Sequence, residues 1–257
     1  MSVNSYLNDL ASNLIILESE KSSITTSINT IKTRLSWYFQ DQIKDKILFG
    51  SYTRETILPR KADENSDIDL MIIFDNTYNY TPQTYLNKLK TFAERYYSTS
   101  EIYQSSPTIV LELNHIKFEL VPAYINYGTY NIPNGANSWM VTDPNGFNTA
   151  LISCNAINSY KIKPLIRLIK HWNIQKNDRG IASFEIEKKI AENMLFSWIT
   201  CKSYTDYAKN ALRTIRNYQN GSKIDSAISY IDKALENEEK GMPYSALIEI
   251  KKVFPEV

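Results

Sequence analysis

Apolar residues open the chain at steps of three and four: Leu7, Leu10, Leu14, Leu17, then Ile24, Ile28, Ile31, Leu35 and Tyr38, with one polar miss at Lys21. That spacing is a helical stripe, and it predicts one long helix or two nearly collinear ones. Such a stripe serves either a coiled-coil dimer or a spine packed along its own domain. The run is short and lacks regular flanking charge pairs, which favours the spine. Ile47–Phe49 then reads as strand leading into Gly50-Ser51, and a polar loop runs from Arg60 to Ser66. Ile68–Phe74 is a short apolar run bounded by turn residues, hence a strand. Residues 84–97 have helical spacing. Thr108–Leu113 and Ile116–Val121 form two strand-like runs, with Asn114-His115 as a two-residue hairpin turn between them.

Residues 126–149 mix turn formers with aromatics and read as a long ordered loop. Beyond about Leu151 the period becomes helical to the end, with helices over 151–175, 183–202, 204–219, 223–239 and 243–253. Gly180, Gly221 and Gly241 fall near the breaks. The chain therefore divides into a mixed α/β half, residues 1–155 with the N-terminal helix included, and an all-α half, residues 156–257.

Composition narrows the function classes. At 257 residues, with 43% hydrophobic and 22% charged positions, the chain is globular, not disordered or fibrous. Lys+Arg 29 against Asp+Glu 28 leaves a net charge of +1, which excludes a polybasic nucleic-acid binder. Cys154, Cys201, His115 and His171 lie apart, with neither the spacing of a structural zinc site nor a disulfide framework. No run approaches the ~18 apolar residues of a membrane span. MSVNSYLNDLASN lacks the basic and apolar regions of a signal peptide. A cytoplasmic protein with no membrane partner is expected.

The chemistry is concentrated around one short stretch. Asp67 and Asp69 are two apart on a predicted strand, so both carboxylates face the same side while Ile68 and Leu70 face a core. Adjacent carboxylates repel unless a cation lies between them. Glu119, between Phe118 and Leu120 on the next hairpin, is a lone acid in an apolar strand and wants a partner. If the two strands are neighbours, three carboxylates converge on a hard-oxygen site suited to one or two Mg²⁺ ions and to displacement at phosphorus. The alternative is a solvated sheet face with ordinary surface acids. Upstream, Gly50-Ser51 can turn tightly and offer backbone N–H groups and a hydroxyl to a phosphate. Residues 161–179 hold Lys161, Lys163, Arg167, Lys170, Lys176 and Arg179 against the single acid Asp178. That excess suits a polyphosphate or an RNA backbone.

Gly-Ser, then Asp-x-Asp, then an acid in a later apolar strand resembles the polymerase-β-like nucleotidyltransferase superfamily. GSYTRETILPRKADENSDIDLMIIF is similar to the first motif of bacterial cyclic-oligonucleotide synthases, relatives of oligoadenylate and cyclic GMP-AMP synthases. FELVPAY resembles their third-acid strand. WMVTDPNGFN, NSYKIKPLIRLIKHWN, IASFEIE and ALENEEKGMPYSALIEIKKVFP resemble the segments that follow. The likeness runs from about Lys46 to the end.

The resemblance implies a nucleotidyltransferase core with a mixed sheet, a long N-terminal spine helix and a C-terminal helical domain closing a nucleotide cleft. It implies that Asp67, Asp69 and Glu119 are the metal-binding catalytic acids, with Mg²⁺ or Mn²⁺ as cofactor. Gly50 and Ser51 correspond to the phosphate-contacting turn, Lys170 to a lysine that reaches the donor triphosphate, and Ser183 to a serine on the same triphosphate. Glu55 stands where the pattern has Gly. A lysine in that role would contribute little to folding, so Lys170→Ala is expected to weaken nucleotide binding more than stability; Ser183 also reads as a helix N-cap. Nucleoside triphosphates serve as donor and acceptor, and a downstream effector in antiviral defence binds the product. An RNA- or tRNA-terminal transferase, a transferase acting on a protein or a small drug, and a degenerate nucleotide sensor are the rival readings.

Overall fold

The opening stripe forms two helices, α1 (Val3–Asn13) and α2 (Glu18–Phe39). Ser2 caps α1 through Ser5 N–H, and the chain leaves the helix at Leu14. Leu17, a member of the predicted stripe, is extended and exposed, and it begins α2 without a side-chain cap. The stripe breaks because its two halves serve different cores. The computed structural model describes residues 1–192 and 198–257. Its chain divides into two compact units, one of Ile16–Glu55 and Asn65–Gly146, the other of Met1–Ile15, Thr56–Glu64 and Phe147–Val257. The boundary expected near residue 155 assigns α1, residues 56–64 and residues 147–155 differently. Val3, Leu7, Leu10 and Leu14, with Leu58 and Ala62, are buried in the same cluster as the C-terminal helices.

The first unit is built on a mixed sheet. Strand β1 (Ile43–Phe49) leads through one helical turn, α3 (Gly50–Thr53), towards β2 (Asp67–Phe74), with which it pairs antiparallel. β2 runs parallel to β5 (Lys117–Asn126). β5 pairs antiparallel with β4 (Thr108–Glu112), and β4 with β3 (Glu101–Ser105). β4 and β5 are the predicted hairpin around Asn114-His115, closed by Leu113 N–H donating to Ile116 O. The second half of β2, Met71 to Phe74, is buried throughout, which explains why it reads as a continuous apolar run and not as an alternation. Helix α2 and helix α4 (Pro82–Tyr96) pack on this sheet unit. Their aromatics meet it directly: Phe39 lies 5.1 Å and Tyr85 4.6 Å from Phe74, ring to ring.

Two parts of this unit differ from expectation. The segment read as loop over 126–149 is mostly a hairpin, β6 (Thr129–Asn134) and β7 (Ser138–Thr142), which extends the far end of β5. Gly135, at φ +79, makes its turn, and Trp139 sits on Tyr124 at 4.8 Å. Its turn formers lie at the hairpin tip, so composition hid two short strands. β3 is an edge strand that is largely exposed and carries no burial pattern to read.

The second unit is helical: α1 with α5 (Gly146–Ile157), α6 (Ile162–Lys176), α7 (Ser183–Glu192), α8 (Tyr204–Thr214), α9 (Gly221–Glu239) and α10 (Pro243–Val253). The helix expected over 151–175 is broken at Ser159 and Tyr160, both at positive φ. The helix expected over 204–219 ends at Thr214. The helix expected over 183–202 starts as α7, and its stretch at 193–197 lies outside the described residues.

Candidate active site

Asp67 and Asp69 stand at the start of β2 and are half-buried, while Ile68 and Leu70 between and after them are fully buried on the opposite face. The alternation follows from strand geometry. Farther along the same face as the acids, Met71 and Ile73 pack with Ala123, Ile47 and Phe49. The carboxylates thus sit at the edge of an apolar floor.

The parallel register sets Glu119 beside Asp69 and Lys117 beside Asp67. The sequence makes the meeting of the acids conditional on the two strands being neighbours; the register makes Glu119 the direct neighbour of Asp69. It also brings in a residue the sequence reading missed. The Lys117 ammonium lies 3.5 Å from Asp67 Oδ2 and 3.7 Å from Glu119 Oε1. Its signal was present in Lys117-Phe118-Glu119, since period two puts Lys117 and Glu119 on one face. Burial, followed by the charge of Asp67, raises the Glu119 pKa, and Lys117 offsets part of that rise. Burial alone would lower the Lys117 pKa, but Asp67 and Glu119 carry it above the ordinary lysine value.

Asp67, Asp69 and Glu119 share one face of the sheet. Among the described residues, no three Asp, Glu, His or Cys side chains are gathered closely enough to hold a metal as they stand. The Lys117 ammonium stands against both Asp67 and Glu119. The donor set fits a hard divalent cation: three anionic oxygen ligands on adjacent strands, two of them already beside a positive charge.

Gly50 closes the site from β1. It has φ +76, and a Cβ there would lie 1.7 Å from Asp69 Oδ2. The backbone therefore touches the carboxylate, and no side chain fits between them. Ser51 follows at the start of α3, half-buried. Glu55, where the resemblance expects Gly, has φ +60, a conformation that favours Gly. The tight path of the loop is thus kept without the glycine.

The remaining expected residues lie in the helical unit. Ser183 is the exposed first residue of α7. Lys170 is not a solvated helix charge. It is 3% exposed, and its ammonium donates to Glu187 Oε1 at 2.5 Å and to Thr56 O at 3.1 Å. Thr56 Oγ1 donates to the same Glu187 oxygen at 2.8 Å. The sequence reading puts Lys170 on the donor triphosphate; in this structure its ammonium is engaged by Glu187 and Thr56. Glu187 sits one turn into α7 and points inward, so it takes up the lysine's charge inside the protein.

Comparison with known proteins bears on the family and the fold. Residues 1–155 match the family model described as the Second Messenger Oligonucleotide or Dinucleotide Synthetase domain. A "Probable cyclic nucleotide synthase" of Bacillus cereus (strain VD146) is 27% identical over 246 residues, covering 80% of this chain and 71% of the relative. The Vibrio cholerae cyclic AMP-GMP synthase DncV superposes with a TM-score of 0.76 at 10% identity, over 98% of this chain and 94% of the other. The Elizabethkingia meningoseptica cyclic dinucleotide synthase CdnE, solved with GTP and Apcpp, gives 0.66 at 15% identity over 98% and 97%. At those identities the structures establish the fold. The family model spans more than half the chain, so the protein belongs to the second-messenger oligonucleotide or dinucleotide synthetase family and is a nucleotidyltransferase.

Proposed function

We propose that the protein joins nucleoside triphosphates into a cyclic or linear oligonucleotide second messenger, using Asp67, Asp69 and Glu119 as its catalytic acids. The observation that carries this is the parallel register of β2 and β5, which sets Glu119 beside Asp69 with Asp67 two residues away on the same face. Asp67, Asp69 and Glu119 would hold Mg²⁺ or Mn²⁺, which when bound neutralises charge at phosphorus and acidifies an acceptor hydroxyl. Gly50 brings the backbone against Asp69 and fixes that carboxylate, and Ser51 offers its hydroxyl to the phosphates. A phosphate contact by Ser183 rests on its exposed place at the start of α7 and on the family likeness. Lys170 we assign to the buried pair with Glu187.

The bond formed joins a ribose oxygen of one nucleotide to the α-phosphorus of another, and the bond broken releases pyrophosphate. A free nucleotide as acceptor is supported by the names of the relatives: a probable cyclic nucleotide synthase in sequence and cyclic dinucleotide synthases in fold. It is also supported by the near-neutral net charge, since an RNA acceptor draws most of its affinity from phosphate neutralisation. The proposal includes a cytoplasmic reaction and a product read by a separate effector in antiviral defence. Among the described residues, no helix is long and apolar enough to cross a membrane.

The test is to incubate the protein with labelled NTPs and Mg²⁺ or Mn²⁺, treat with phosphatase and resolve the products. A phosphatase-resistant oligonucleotide formed from NTPs alone supports the proposal. Label appearing only in added RNA overturns it in favour of an RNA-terminal transferase.

A further inference from the structure

Resting on the proposal that Asp67, Asp69 and Glu119 take a divalent cation, the geometry points to Lys117 as the built-in counterion of that site, a positive charge that an incoming metal must displace. Four observations converge on it. The ammonium bridges Asp67 and Glu119 at 3.5 and 3.7 Å, so it engages two of the three acids. The side chain is only 13% exposed, so it is held by its surroundings and not merely passing through solvent. Lys117 is the register partner of Asp67 on β2, which places it within the row of acids. On its other side its partner is Glu112 of β4, which remains available to it once the first two acids are taken.

The physics is a competition. Half-buried like charges on adjacent strands repel, and an ammonium that contacts both Asp67 and Glu119 relieves that repulsion. Mg²⁺ or Mn²⁺ binds carboxylate oxygen at about 2.0–2.2 Å, much closer than the ammonium stands. Both cations cannot lie between the same oxygens without strong mutual repulsion. Lys117 therefore weakens metal binding while holding the acids in place before the metal arrives. It acts through Asp67 and Glu119, as a positioning residue.

The experiment is a Mn²⁺ titration of nucleotide-free protein, read by electron paramagnetic resonance of free Mn²⁺. It compares wild type with Lys117→Met, Lys117→Gln and Lys117→Arg, and takes Asp67→Asn as control. Removing the ammonium should tighten Mn²⁺ by about tenfold in both neutral variants. Lys117→Arg, which keeps the charge, should stay near wild type. The melting temperature of the metal-free neutral variants should fall, and Mn²⁺ should raise it by more than in wild type. Equal or weaker Mn²⁺ binding in folded Lys117→Met and Lys117→Gln would overturn the counterion role while leaving the metal site standing. No Mn²⁺ binding by wild type, or binding unchanged in Asp67→Asn, would instead overturn the metal site itself and this role with it.

Discussion

Gly50 and Asp69 are in backbone-to-carboxylate contact: a Cβ on residue 50 would fall 1.7 Å from Asp69 Oδ2 and 2.6 Å from its Cγ. Gly50→Ala must push Asp69 aside and must also hold a left-handed φ of +76. The second effect alone costs roughly 1–2 kcal/mol of stability. The first should cost activity on the order of a hundredfold, the usual effect of an ångström's misplacement at a reacting centre. Steady-state turnover beside a thermal melt separates the two. Activity near wild type would mean that Asp69 need not stay where it is.

Asp67→Asn and Asp69→Asn keep shape and lose charge. Removing an anionic ligand should lower turnover by roughly a thousandfold or more while the fold survives. Circular dichroism confirms the fold, and pyrophosphate release reports the turnover. Near-normal turnover in the double variant would remove both residues from the chemistry.

The pair Lys170–Glu187 predicts a stability effect in place of the nucleotide effect expected from sequence. Both side chains are buried, at 4% and 0% exposure. Lys170→Ala leaves the Glu187 carboxylate buried without its ammonium, and Glu187→Ala does the converse. Each should destabilise by about 3–5 kcal/mol. Lys170→Met with Glu187→Leu should be much milder than the sum, because replacing both charges leaves no buried ion. Chemical denaturation of the three variants checks this; strictly additive losses would contradict it.

His171 gives the fold a pH dependence. Its Nε2 lies 2.9 Å from Pro255 O, which can only accept, so Nε2 carries the proton. Nδ1 is buried and, among the described residues, has no hydrogen-bond partner. Burial lowers the His171 pKa below its ordinary 6.5. Below that value the unfolded chain takes up a proton that the folded one resists. The neutral histidine's contribution is therefore complete above pH 6.5 and is lost as pH falls towards the lowered folded value. The loss should reach at most about 1.4 kcal/mol per pH unit in that window. Melts from about pH 7.5 to 5.5 should fall more steeply for wild type than for His171→Gln; parallel curves would sink the assignment.

What the sequence shows of the site is what one strand can show. Asp67 and Asp69 are legible because period two fixes their shared face, and Glu119 because a lone acid in FELV has no apolar role. Lys117 has the same signal as Glu119, but its partner on β2 is set by a parallel register that the sequence does not determine. Lys170 and Glu187 lie 17 positions apart on different helices, and only packing reveals that one neutralises the other. The helices α9 and α10 are legible from their stripes and from Pro243 at the start of α10. The β6–β7 hairpin is hidden, because its asparagines, Pro133 and Gly135 are also the residues of loops.

The most direct test is pyrophosphate release from NTPs alone, with Mg²⁺ or Mn²⁺, by wild type and by Glu119→Gln. Glu119 is the acid whose place beside Asp69 comes from the β2–β5 register. The prediction is steady release by wild type and a loss of roughly a thousandfold in Glu119→Gln, with the fold intact. Equal release by the two proteins would contradict the assignment of these three acids as the catalytic centre.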